Sequence, residues 1–273
     1  MRKLLLGTTA IAAAAALTAN AALADVSISG AFEWAYTSMS SNIAARDGTS
    51  SATDSEIAFK FSNKTDSGLT VGWVVELESD DANTAINESS MSIAGGFGKV
   101  VLGGNDSVGD NFGIAGTDIP SEEGGMTPSS ATIMTNSDIT PASGDSSKIS
   151  YFLPAMGGLT MGVSHTTTIA GTTDSTEYGA RYTMDNITLG WSRIEAETAS
   201  ATKDSESTNM GVKAVFGATT VIASAGDHIT ATEDRENVGF GVKQALDGGM
   251  HVAFSTFESE DAADRASNLD EKF

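Results

Sequence analysis

The sequence predicts an all-β chain folded as a transmembrane, antiparallel, up-and-down barrel. Three observations predict it. Apolar and polar residues alternate with period two from Val26 to Phe254. Tight turns and longer polar connections take turns along the chain. The apolar side of the well-defined strands carries aromatic residues and no charge, while the opposite side is mostly Gly, Ser, Thr and Ala.

The elements follow in order. Residues 1–24 have the form of an export signal: Met1, Arg2 and Lys3 are the basic start, Leu4 to Leu17 the apolar stretch, and Ala22-Leu23-Ala24 the small-x-small cleavage site. Ala19-Asn20-Ala21 is a competing site. The mature chain, 25–273, then opens on a strand with Val26, Ile28, Phe32, Trp34 and Tyr36 on one side. Ile57, Phe59 and Phe61 mark the second strand, and Asn63 to Gly68 a turn. Val71, Trp73, Val75 and Leu77 mark the third. Met91 and Ile93 mark a weaker fourth, and Val100 and Leu102 the fifth. An irregular stretch, about 104–147, comes next, and segments of such length inside a domain are usually functional.

The rhythm resumes with Ile149 and Tyr151, then Leu159, Met161 and Val163. Tyr178, Ala180 and Tyr182 are followed by Ile187, Leu189 and Trp191. Met210, Val212 and Ala214 lead to Val221, Ala223 and Ala225. Val238, Phe240 and Val242 lead to Met250, Val252 and Phe254. Glu195–Ser205 and Gly226–Glu236 read as loops, and the tail from Glu258 as irregular. The period-2 template places about thirteen strands, no helix beyond the signal and no domain boundary. An odd count leaves the two ends on opposite sides of the membrane. The expectation is a truncated carboxyl terminus or an imperfect last strand near Asn268–Phe273.

A soluble sandwich also alternates, so alternation alone does not choose. Charge on a lipid-facing position costs about 2–4 kcal/mol at the bilayer midplane, which explains an uncharged apolar side. Gly72, Gly162, Gly179, Gly190, Gly211, Gly239 and Gly241 lie on the other side, where small residues suit the concave wall of a lumen. A closed barrel also satisfies every backbone group inside lipid.

Composition narrows the function. The net charge is −21, and removal of Arg2 and Lys3 with the signal leaves 13 basic against 36 acidic residues, or −23. Such a chain has no basic patch for nucleic acid. There is no cysteine to support an exported fold by disulfides. His165, His228 and His251 lack metal-ligand spacing. Gly162-Val163-Ser164-His165-Thr166 lacks the last glycine of a nucleophile elbow, and Gly98-Lys99-Val100 lacks the hydroxyl residue of a phosphate loop. No catalytic site and no cofactor follow. Asp80-Asp81, Asp227 and Asp234 offer oxygen ligands to a divalent cation, but without EF-hand spacing solvated loop charge is the better reading. Trp34, Trp73 and Trp191 are assigned to interface girdles or subunit contacts.

Family resemblance rests on an ordered set of segments. Gly96-Phe97-Gly98-Lys99-Val100-Val101-Leu102-Gly103 resembles the strand before the constriction loop of Gram-negative general diffusion porins. Ser147-Lys148-Ile149-Ser150-Tyr151-Phe152-Leu153-Pro154, running into Gly157-Gly158-Leu159, resembles the strands after it. Glu177-Tyr178-Gly179-Ala180-Arg181-Tyr182 is similar to a later strand, and the layout is closest to alphaproteobacterial porins. The resemblance implies an outer-membrane homotrimer of water-filled barrels, usually of about sixteen strands, in contact with lipid and lipopolysaccharide. It implies passive diffusion of small hydrophilic solutes and ions. The long loop would fold inward with its acids, Asp106, Asp110, Asp118, Glu122, Glu123, Asp138 and Asp145, facing basic wall residues. By alternation the wall candidates are Lys60, Arg181, Lys213 and Lys243.

Two features depart from the family pattern. Gly104 stands where many members carry arginine, and a strong final strand is missing. The alternatives are a solute-specific channel of the same architecture, an outer-membrane barrel enzyme, or a secreted β-sandwich adhesin.

Overall fold

The computed structural model describes residues 25–39, 48–78, 86–115, 143–167, 173–198, 204–230, 234–247, 251–261 and 271–272. They form one sheet of fourteen antiparallel strands in strict sequence order. The strands are β1 Asp25–Met39, β2 Gly48–Lys64, β3 Thr70–Glu78, β4 Glu88–Gly95, β5 Gly98–Gly104, β6 Ser147–Phe152 and β7 Leu159–Thr167. They continue as β8 Thr173–Met184, β9 Ile187–Thr198, β10 Ser205–Phe216, β11 Thr219–Thr230, β12 Asp234–Ala245, β13 His251–Asp261 and β14 Glu271–Lys272. Among the described residues no ladder joins β1 to β14.

The register keeps the predicted faces together. Phe61 lies opposite Trp73, Tyr151 opposite Val163 and Ala180 opposite Trp191. The Phe61 and Trp73 rings stack at 4.9 Å, an aromatic cross-strand pair of the kind that stabilises a ladder. The face they share is exposed: Leu189 is 50% and Phe254 64% accessible, with Met210, Val238 and Phe240 also exposed. The opposite face is buried and polar, with Ser150, Ser192 and Asn209 wholly covered. A soluble protein does not display such a continuous apolar belt over a polar interior, whereas a lipid-embedded barrel requires it.

Three expectations are corrected. The segments Glu195–Ser205 and Gly226–Glu236 are not loops throughout, because residues 195–198, 205, 226–230 and 234–236 are paired in the ladders of β9 to β12. Each of these strands has 12 residues; at about 3.3 Å per residue they rise about 40 Å, against an apolar band of about 25 Å. Alternation of hydrophobicity stops where lipid stops, but backbone pairing continues into water.

That extension also brings charge onto the outward face. Arg193, Glu195, Glu206, Asp227, Glu236 and Glu258 all share the register of the apolar side, at the long-loop ends of their strands. Arg193 pairs with Glu195 at 2.9 Å and Glu206 at 2.6 Å. Water or headgroups solvate these positions, so lipid does not penalise them.

Third, the long connection contains a helix, α1 Val108–Phe112. The last strand, β14, is a two-residue strand paired with β13 inside the interval where an imperfect strand was expected.

Candidate functional site: a loop docked on the inner wall

The connection between β5 and β6 turns onto the polar face of the sheet. A capping box starts α1: the Ser107 hydroxyl accepts from Asp110 N–H at 3.1 Å, and the Asp110 carboxylate accepts from Ser107 N–H at 3.3 Å. Gly113 N–H closes the far end on Gly109 O at 2.7 Å. One helical turn is marginal alone. Here packing holds it, because Val108, Phe112, Ile114 and Ala115 are all buried.

The wall receives them through missing side chains. A Cβ at Gly179 would lie 2.6 Å from the Phe112 ring, and at Gly162 2.8 Å. At Gly190 it would lie 2.7 Å from Ile114 Cγ1, and at Gly211 2.6 Å from Ile114 Cβ. These four glycines are a track for the loop, a sharper reason for them than curvature. Ile114 continues onto Ile222, with Ala253 beside it. Each fully buried aliphatic or aromatic side chain contributes about 1.5–3 kcal/mol.

Polar latches fix the register of the loop on this track. Glu177, 1% exposed, accepts from Gly109 N–H at 2.7 Å and from Ser143 N–H at 2.9 Å. One carboxyl group therefore holds the outgoing and the returning limb. Asn209 Oδ1 accepts from Ile114 N–H at 3.1 Å, and Arg181 Nη2 donates to Gly113 O at 2.8 Å. Two acids remain exposed on this arrangement, Asp106 and Asp110. Desolvation of each carboxyl group raises the pKa of both above the ordinary carboxylate value; Asp145 adds to the rise at Asp106, against a hydrogen bond with Glu88 and the charges of Lys148 and Lys60. Hydrogen bonds from Ser107 oppose the rise at Asp110.

An apolar outward belt, a polar inner face and a connection whose described limbs, 105–115 and 143–146, lie on that inner face together describe the wall of a membrane pore. The sequence pattern of the Gram-negative porin family matches residues 7–272. The chain belongs to the Gram-negative porin family. Solved porins share its fold. One porin structure refined at 1.8 Å is 18% identical, with 87% of this chain and 84% of that one covered and a TM-score of 0.59. The OmpF of Salmonella typhi in complex with daunomycin is 14% identical, covering 92% and 83%, with a TM-score of 0.69. A mutant of the Rh. blastica porin is 16% identical, covering 86% and 97%, with a TM-score of 0.53. Among curated proteins none matches. This porin is thus an outer-membrane channel for passive diffusion of small hydrophilic solutes and ions.

The positions expected for the porin's pore can now be placed. Asp106 and Asp110 sit at the start of the docked loop; Asp118, Glu122 and Glu123 lie outside the described residues. Lys60 is exposed on the face of buried Ala58, and its charge reaches Asp106. Arg181 is spent on the loop backbone at Gly113. Lys213 lies opposite Ile222, and Lys243 opposite Thr220, both on the inner face. Glu88, Lys148, Glu177 and Asn209 were not singled out from sequence. Parity was their signal: Lys148 and Glu177 each fall out of phase with the neighbouring Ile149 and Tyr178.

Proposed function

We propose that this porin is a general diffusion pore with a mild cation preference, assembled as a homotrimer after cleavage of residues 1–24. The observation that carries the reading is the docked loop, which presents Asp106 and Asp110 to the lumen in a chain of net charge −21. In the reading, Asp118, Glu122 and Glu123 extend the acidic side, and Lys60, Arg181, Lys213 and Lys243 belong to the basic wall. Pore width and lining charge then sort solutes, with no catalytic group and no cofactor involved. The outward belt meets lipid, lipopolysaccharide and the neighbouring subunits.

Planar-bilayer recording of purified protein tests this. Step-like ohmic conductance is expected, with a reversal potential favouring cations in dilute salt. That preference should fade near 1 M salt, where the screening length falls to about 3 Å. Anion preference in dilute salt would defeat the selectivity reading. Saturable flux with block by a single solute would replace the general pore with a solute-specific one.

A further inference from the structure

The outward face of β10 to β13 carries a groove that the pore does not use. Along β11 the outward side chains Ala223 and Ala225 are short, exposed and in line. Their ladder partners are longer: Ala225 lies between Met210 and Val238, and Ala223 between Val212 and Phe240. Two alanines between rows of larger side chains leave a trough along the strand. Its upper part is a cavity of about 490 Å³, floored by Ala225 and walled by the exposed Met210 and Val238. Sites for small ligands span about 300–1,000 Å³ and are mostly apolar with a few polar groups.

The head of the cavity is of another kind. Asp227 sits two residues beyond Ala225 on the same side, toward the long-loop end. Glu236 is its ladder partner, and Glu258 is the partner of Val238. All three line the cavity, and no lysine or arginine does. Asp227 also feels Glu206 and Asp234 as like charges. The cation of the neighbouring strand, Arg193, is held by Glu195 at 2.9 Å and Glu206 at 2.6 Å. A phosphate placed here would be repelled by the carboxylates, whereas an amine would be attracted.

We propose that this groove binds one membrane lipid whose headgroup carries a cationic amine. An acyl chain lies along Ala225 and Ala223 between the two walls, and the amine sits among Asp227, Glu236 and Glu258. The match is one of charge and of depth. The trough runs into the apolar belt, and the carboxylates stand at its edge, where headgroups begin. An exposed apolar trough with a polar rim is the usual form of an interaction site. The inference rests on the outward face meeting lipid, and not on what crosses the pore.

The test is electron spin resonance of the full-length protein in phosphatidylcholine vesicles at low salt. Three probes carry a nitroxide on the acyl chain: an alkylamine, phosphatidic acid and phosphatidylcholine itself. The motionally restricted fraction reads association with the outward face. The alkylamine should be favoured about fivefold over phosphatidylcholine, and phosphatidic acid not at all. Asp227→Asn with Glu236→Gln should remove most of that preference, while Asp66→Asn, in the exposed turn after β2, leaves it unchanged. Ala225→Leu fills the trough with the charges in place and should also lower it. These positions line no core, and far-UV circular dichroism checks the sheet in each variant. A preference for phosphatidic acid, or an amine preference that survives either change in the groove, overturns the site. So does no amine preference together with a smaller oligomer in Ala225→Leu, which would give the trough to a second copy of the chain. Conductance reads the inner face, so failure here leaves the diffusion pore standing, and the reverse.

Discussion

The inner wall holds its loop in two regions that use opposite chemistry. On β7 to β10 the contact is made by taking side chains away, so that Phe112 and Ile114 lie against Gly162, Gly179, Gly190 and Gly211. On β4 to β6 it is made by crowding charge, with Glu88, Asp106 and Asp145 around one end and Lys148 bound to the backbone. Packing carries no charge to titrate and, with the latches of Glu177, Arg181 and Asn209, fixes where the loop lies. Charge is sensitive to both pH and salt.

The largest effect is expected from breaking the packed side. Gly211→Val puts a branched side chain where Ile114 lies, and overpacking of this kind costs about 1–3 kcal/mol. Single-channel records should then lose their single open level. An unchanged level would show that the glycine track does not position the loop. Next comes Glu177→Gln, which keeps the shape but offers one amide oxygen to two N–H donors. One of the two hydrogen bonds is lost to a donor facing a donor, and the other loses its charged acceptor; each bond to a charged group is worth about 1.5–3 kcal/mol. Hydrogen exchange at the Gly109 and Ser143 amides should accelerate about tenfold, the equivalent of about 1.4 kcal/mol. Equal protection in both proteins would remove the latch from the account.

The charged side is probed by pH. Because Asp106 and Asp110 have raised pKa values, they protonate before ordinary carboxylates as pH falls. Cation preference should therefore decline in mild acid, read as a shrinking reversal potential across a salt gradient. The docked loop binds these protons more tightly than the undocked chain. Docking is thus favoured below the raised values and loses that contribution as pH rises through them. A reversal potential flat from neutral to mild acid would contradict the assignment. The smallest effect belongs to neither region. Arg193→Ala breaks the exposed pairs with Glu195 and Glu206 and should lower stability by less than about 1 kcal/mol, vanishing in high salt.

How much of this was legible follows from which forces leave a local trace. The pleat does: Val71, Trp73 and Val75 announce a strand and its lipid side within five residues. Strand ends beyond the belt do not, because Glu206 and Asp227 are paired by backbone bonds that any polar residue can make. The helix α1 escaped because one turn shows no period of its own. The parity of Tyr178 puts Glu177 on the inner side, but its partners are backbone amides 68 and 34 residues away, which no pattern of side chains marks, so it was not singled out. The glycines were visible too, and their partner was not, since the loop that fills them shows no regular alternation. Glu88 meets Asp106 and Asp145 only through the register of three strands.

The strictly sequential ladder has a consequence in time. Each strand of this sheet pairs with its neighbour in the chain, so hairpins can be added one after another with little entropy lost at each closure. Loop docking cannot proceed that way. Gly109 must wait for Glu177, and Ile114 for Asn209, 95 residues further on. Until β8 to β10 exist, α1 and the residues that follow it have nothing to lie on. The wall is thus built first, and the loop is seated on it late.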